Sequence, residues 1–224
     1  MCIRDRGFAG GTPQLVSREL VADTQTPVSA YLRLAAGSRN TFLLESVEGG
    51  EIRGRFSVIG LSPNLIWRCR GSVAEINRDP ANSGEFSADS RAPIDSLRAL
   101  MAESAMADTG NLPPMSAGLF GYFGYDMIRH IEAIPDANPA VIDTPDSMLV
   151  RPSLIAIFDR LKDSITFVVQ VRPAEWDEPQ AAWSHAQDRI AAALDALDAP
   201  MPPTEAGEST APLPDPRSNM EQGD

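Results

Sequence analysis

The sequence predicts an α+β fold in which antiparallel β-sheets carry helices packed on their outside. Three observations lead there. Strand-like runs come in pairs separated by only a few residues, and such short connections make hairpins rather than parallel crossovers. Stripes of apolar residues at the helical period fall at 26–36, 93–105 and 179–197, between those pairs. The chain has 224 residues, 43% hydrophobic and 22% charged, which is enough to bury one sizeable core.

Residues 1–13 are set apart as a leader, disordered or non-native, because 1–6, MCIRDR, follow neither a strand nor a helix pattern. Residues 14–20 alternate as a strand. Thr26 and Pro27 then make a helix start, with the threonine as N-cap and proline at the first helical position. That helix runs to about Ala36, where Gly37 stops it, with Tyr31 and Leu34 facing inward and Arg33 outward.

Thr41, Phe42, Leu43 and Leu44 form a short strand rich in aromatic and branched residues, ahead of the turn signal Glu48, Gly49, Gly50. The return strand runs from Arg55 to Ile59. Glu45 and Ser46 are thereby left at a strand end. A carboxylate there can take an ammonium group, and a hydroxyl with nearby main-chain N–H groups can take a carboxylate, so the pair suits a small zwitterion. By pattern alone, though, Glu-Ser before a glycine turn is mostly solvated hairpin chemistry.

Residues 64–70 and 72–77 read as a further antiparallel pair turned at Gly71, with Trp67 and Cys69 on one face and Ile66 on the other. Cys69 has no base beside it in sequence, which favours a buried structural thiol over a nucleophile. Residues 78–91 are polar and carry Pro80 and Gly84, hence a surface loop. Pro93 opens a second helix with Ile94, Leu97, Leu100, Met101 and Ala105 on the helical period, and Asn111, Pro113 and Pro114 end it.

In the stretch 116–132, Gly118, Gly121 and Gly124 fall on every third residue of a strand. Glycines there give up side-chain packing, which marks close backbone approach or a bend. Phe120, Tyr122, Phe123 and Tyr125 surround them, and a short helix follows at 126–131. A glycine-rich strand entering a helix is also how phosphate loops look, but GxGxxG spacing and a Lys-Ser/Thr pair are both missing. Residues 146–159 and 164–172 are long apolar strands joined at 160–163 as a hairpin. Residues 179–197 form an amphipathic helix striped by Trp183, Ala186, Ile190, Leu194 and Leu197, which covers one sheet face or, alternatively, makes a dimer contact. Six prolines between 200 and 216, with no apolar periodicity, make a linker.

A net charge of −12 argues against nucleic acid, whose binding relies on clustered Lys and Arg. Cys2 and Cys69 do not make a disulfide framework, and His130 and His185 show no metal-ligand spacing with them, so no metal site is expected. No apolar run is long enough for a membrane span or placed as a signal peptide. The expected location is cytoplasmic.

The run Leu43-Leu44-Glu45-Ser46-Val47-Glu48-Gly49-Gly50-Glu51, followed by Gly54-Arg55-Phe56-Ser57-Val58-Ile59-Gly60, resembles the N-terminal signature of anthranilate synthase component I. Residues 24–36, TQTPVSAYLRLAA, resemble the Thr-Pro-Val-Ser helix that precedes it in that family. Gly121-Tyr122-Phe123-Gly124-Tyr125-Asp126 resembles the family's Gly-Tyr-x-Gly-Tyr-Asp motif, and Ser218-Asn219-Met220-Glu221 the start of its chorismate-binding domain. The motifs keep the family's order over roughly residues 14–220, which is more specific than any one of them.

The resemblance implies a regulatory domain over 14–199 and a linker over 200–224 leading to a chorismate-binding domain that this chain does not contain. It implies that the full-length enzyme makes anthranilate and pyruvate from chorismate, with Mg²⁺ held by that other domain and ammonia delivered by a glutamine amidotransferase subunit, component II. No catalytic residue and no metal ligand maps onto this chain, which is expected to be inactive alone. In the family the Leu-Leu-Glu-Ser segment forms part of the pocket for the feedback inhibitor L-tryptophan. By that match the expected contacts are Ser46, Glu45 and Leu44, with Arg55 as a fourth. Two other readings are the corresponding part of aminodeoxychorismate synthase component I and a stand-alone amino-acid-binding module tethered by its Pro-rich tail.

Overall fold

Two long strands, β3 (Phe56–Arg70) and β7 (Ser147–Asp159), pair antiparallel from end to end and form the axis of the molecule. Both are near-continuous apolar runs, as strands covered on both faces must be. The computed structural model describes residues 5–45, 54–106, 109–135 and 142–202. Ser46, the expected glycine turn at 48–50 and the tail beyond 202 lie outside the described residues.

Among the described residues six further strands join the axis: β1 (Gln14–Val21), β2 (Phe42–Leu44), β4 (Val73–Asn77), β5 (Ser87–Ala88), β6 (Phe120–Phe123) and β8 (Ser164–Val171). The result is a single antiparallel sheet with the order β1-β8-β7-β3-β4-β5, β2 pairing on β3 and β6 on β7. Each axial strand changes neighbour halfway along. β3 is flanked by β2 from Val58 to Gly60 and by β4 from Ile66 to Arg70, while β7 is flanked by β8 from Leu154 to Asp159 and by β6 from Ser147 to Val150. Between these halves the β3–β7 register shifts at Pro63/Leu65, next to Ser62 with φ 47°. A bulge there bends and twists the ribbon without ending it. The two strands expected at 55–59 and 64–70 are therefore one strand, because the bulge absorbs Pro63.

Helices cover the two halves separately. α2 (Pro27–Leu34) begins as expected: Thr26 Oγ1 accepts from the Ser29 N–H and Ser29 Oγ from the Thr26 N–H, each at 3.1 Å. α4 (Pro179–Asp198) buries Ala182, Ala186, Ile190, Ala193 and Leu197 against Phe158, Ile165, Phe167 and Val169. It covers its own sheet, in preference to the dimer contact. α3 (Pro93–Ser104) buries Leu97 and Leu100 on Leu65, Trp67, Cys69 and Leu149 at the other half. It stops before Ala105, since Arg172 donates to the carbonyls of Glu103 and Ser104 at 3.0 and 3.3 Å and fixes the helix end, and Met101 is left exposed. Opposite α4, Val58, Ile155, Ile157 and Val168 pack with Phe42, Phe56 and Phe120 under loop residues Met106, Leu112 and Ala117. A short helix, α1 (Asp5–Ala9), falls within the stretch set apart as a leader, and its Phe8 is buried in the core beneath α4.

The glycines of the 116–132 stretch do what their spacing predicts. A β-carbon on Gly121 would land on the Met148 carbonyl oxygen, and one on Gly124 would sit 2.6 Å from the Asp146 carbonyl oxygen. β6 can lie against β7 only without those side chains. Gly118 differs, having open space around it and φ +126°, so conformation rather than contact selects glycine there. The helix expected at 126–131 is a 3₁₀ turn, Tyr125–His130.

Candidate functional site

The exposed end of β2 meets the start of β3 and the end of β7, and two ion pairs mark the junction. Leu44 pairs with Val58 and is 47% exposed, while Phe56 stands opposite Asp159. Arg55 donates from Nε and Nη2 to the two oxygens of Asp159 at 2.8 and 2.6 Å. Asp159 is buried and also accepts from the Leu161 N–H at 3.1 Å. The Arg55 guanidinium holds the Asp159 carboxyl below the usual carboxylate range, against the opposing effect of burial. Arg55 further lies 4.8 Å from the centre of the Phe56 ring.

The second pair is different in kind. Arg160 Nη2 donates to Glu45 Oε1 at 2.9 Å, with the Arg160 and Glu45 side chains 44% and 27% exposed. Pairs of that exposure contribute about 0 to 1 kcal/mol, so another cation can replace Arg160 at little cost. Among the four residues named from sequence, Leu44, Glu45 and Arg55 are thus brought to one strand end, with Arg55 already committed to a bidentate carboxylate. Beside it a cleft of about 210 Å³ is lined by Arg55, Phe56 and Asp159 together with Ser17, Glu19 and Thr166. Asp159 and Arg160 were missed from sequence. Their one signal was position, at the strand end and turn of the 146–172 hairpin.

The Gly121–Asp126 motif is bound into the sheet. Tyr122 OH donates to the Pro145 carbonyl at 2.8 Å, Ser147 Oγ to the Tyr122 carbonyl at 2.7 Å, and Asp126 accepts from Arg129 Nε at 2.8 Å. Cys69 is fully buried, with Sγ 3.5 Å from His130 Nε2, and burial, with the Asp146 charge adding, pushes its thiol up to about 11. At neutral pH it is a protonated core thiol. Among the described residues no group of three or more His, Cys, Asp or Glu is placed to hold a metal ion. No helix among the described residues is long and apolar enough to cross a membrane.

Comparison with known proteins gives a consistent result. No family model matches the chain. Anthranilate synthase component 1 of Cereibacter sphaeroides is 43% identical over 217 residues, covering 96% of this chain and 43% of that protein. The Pseudomonas putida protein of the same name is 35% identical over 187 residues, covering 83% of this chain and 36% of its own length. The Thermus thermophilus protein is 33% identical over 169 residues, 75% of this chain and 34% of that one. The crystal structure of anthranilate synthase component I from Streptococcus pneumoniae TIGR4 shares the fold, with a TM-score of 0.55 at 23% identity over 83% of this chain and 37% of that chain. The chain spans less than half the length of the curated relatives it matches. Nearly the whole of this chain is thus homologous to a part of anthranilate synthase component 1, and it belongs with that family.

Proposed function

We propose that this chain is the N-terminal, regulatory part of an anthranilate synthase component I, a cytoplasmic enzyme of tryptophan biosynthesis. On this reading the parent is a lyase that converts chorismate to anthranilate and pyruvate in the presence of Mg²⁺, with ammonia supplied by a glutamine amidotransferase component II. This chain contributes no residue to that chemistry and is inactive by itself. Its part is to bind L-tryptophan at the β2 end.

The observation that carries the effector reading is the state of Glu45. Its carboxylate stands at an exposed strand end, one residue ahead of Ser46, and among the described residues its ion pair is with the solvent-facing Arg160. The ammonium of an amino acid can displace such a partner, and the Ser46 hydroxyl supplies a donor for its carboxylate. Feedback then requires that tryptophan bind the inactive state of the parent more tightly than the active one.

The test is a tryptophan titration of the reconstructed full-length enzyme at fixed chorismate, read by anthranilate fluorescence. Losing one hydrogen bond to a charged ligand group costs about 1.5 to 3 kcal/mol, so Ser46→Arg, which also fills the site, raises the inhibitory concentration tenfold or more. The KM for chorismate without tryptophan stays nearly unchanged. Equal inhibition curves refute the assignment of Ser46. Wild type that tryptophan does not inhibit moves the reading to aminodeoxychorismate synthase component I, and anthranilate made by the 224-residue chain alone overturns its inactivity.

A further inference from the structure

We propose that the cleft enclosed by β3, β4 and the 80–86 loop is a second binding site, for a small organic anion whose carboxylate is carried on a flat apolar body. The cleft measures about 460 Å³, within the range of small-molecule pockets. It lies beyond the β3 bulge from the Glu45–Arg55 junction, and the inference is independent of the effector reading.

Charge is the first argument. Two arginines, Arg39 and Arg68, line the cleft and none of its lining residues is acidic, in a chain that carries 31 Asp and Glu against 19 Lys and Arg. Arg39 is exposed and makes no hydrogen bond or ion pair among the described residues. Arg68 donates from Nε to Glu75 Oε2 at 2.7 Å, which compensates one of the two charges and leaves its terminal amino groups unbonded among the described residues. The lining therefore includes one arginine that makes no ion pair among the described residues and a second whose guanidinium is oriented by Glu75. Guanidinium groups match planar carboxylates with paired N–H donors.

Shape is the second. Ile66, Phe86 and Met148 give an apolar lining, and the Phe86 ring has the Arg68 guanidinium 3.7 Å from its centre. Such an edge of aromatic and cation suits a flat ring better than a compact inorganic anion.

The loop over the cleft is also preformed. Asn77 is 3% exposed, donates from Nδ2 to the Ser83 carbonyl at 2.8 Å, and accepts from the Asp79 N–H at 2.8 Å. Its amide fixes both ends of the 79–83 turn, so a ligand meets a wall that needs little ordering.

The test is ¹H–¹⁵N NMR of the full 224-residue chain with three probes: sodium benzoate, benzyl alcohol and inorganic phosphate. Benzoate is expected to shift the amides of Ile66, Arg68, Asn77 and residues 82–84 saturably, and to bind at least tenfold more tightly than either other probe. Arg39→Glu, at an exposed residue that makes no hydrogen bond or ion pair among the described residues, is expected to weaken benzoate tenfold or more while the thermal melt stays in place. Arg68→Gln serves as the second variant, with the same direction. Benzyl alcohol equal to benzoate would show an apolar cleft only. Phosphate equal to benzoate would show a general anion patch, and unchanged affinity in Arg39→Glu would remove the arginine from the site. Each of these three results overturns the proposal.

Discussion

Replacing Gly121 with alanine tests whether β6 is held by backbone contact. A β-carbon there would overlap the Met148 carbonyl oxygen and lie 2.9 Å from Leu149 Cα, and both are main-chain atoms of the buried axial strand β7. No rotamer change relieves that overlap, so β6 must move away from its pairing at 147–150. Overpacking costs about 1 to 3 kcal/mol, and a rigid backbone obstacle places this case near 3. With a urea m-value of about 2 kcal/mol/M, the midpoint falls by about 1.5 M at unchanged slope. Gly124→Ala, with its β-carbon 2.6 Å from the Asp146 oxygen, falls by less. Gly84→Ala has open space and is the control, with a change inside about 0.5 kcal/mol. Urea unfolding followed by circular dichroism measures all three. A Gly121→Ala midpoint equal to that of Gly84→Ala refutes the reasoning.

Three further outcomes follow from polar side chains. Ser96→Ala leaves the indole N–H of fully buried Trp67, which now donates to Ser96 Oγ at 3.0 Å, without an acceptor; thermal or urea unfolding is expected to show a loss of about 1 to 3 kcal/mol. Cys69, buried and with its thiol pushed up to about 11, resists iodoacetamide at pH 8 in the native protein and reacts in urea; peptide mass mapping that finds native labelling contradicts this. Hydrogen bonds from Arg78, then those from Arg151, hold the Glu103 carboxyl down to about 2, and Arg55 lowers that of Asp159. Because both folded-state values are depressed, their stabilisation is complete above the unfolded carboxylate range of about 4 and disappears as pH falls through the folded values. Urea midpoints are expected to be level from pH 7 to 5 and to fall below that, with a shallower fall in Asp159→Asn.

The local parts of this fold were legible because their signals are local. Thr26-Pro27 opens α2 with the expected capping geometry, and the stripe from Ala186 to Leu197 lies against the sheet. The strands expected at 55–59 and 64–70 run on as one because Pro63, a residue that ordinarily breaks a ladder, stands here at a bulge where the register shifts. The glycine spacing of 118–124 announced a close neighbour but not its identity, since nothing in those residues points to Met148 or Asp146. Phe8 was hidden by the patternless residues before it, although a lone aromatic is enough to anchor a short helix on an existing core.

Sites are harder, because their partners are remote in sequence. Asp159 lies 104 residues from Arg55 and Arg160 lies 115 from Glu45, so composition and motif could supply one half of each pair only. The missing halves change what the motif residues can do. Asp159 and Arg160 are consecutive, and one locks Arg55 against the sheet while the other offers Glu45 an exchangeable partner. Arg55, read from sequence as a ligand contact, is thus the less available of the two guanidiniums. If, as proposed, an incoming ammonium takes Glu45, Arg160 is released at the same strand end. The bidentate pair stays intact in that exchange, so the strand end can change partners while β3 and β7 keep their register. Asp159→Asn would therefore damage the scaffold first, whereas Arg160→Gln would act on the ligand alone, and comparing their urea midpoints with their tryptophan titrations in the full-length parent separates the two roles.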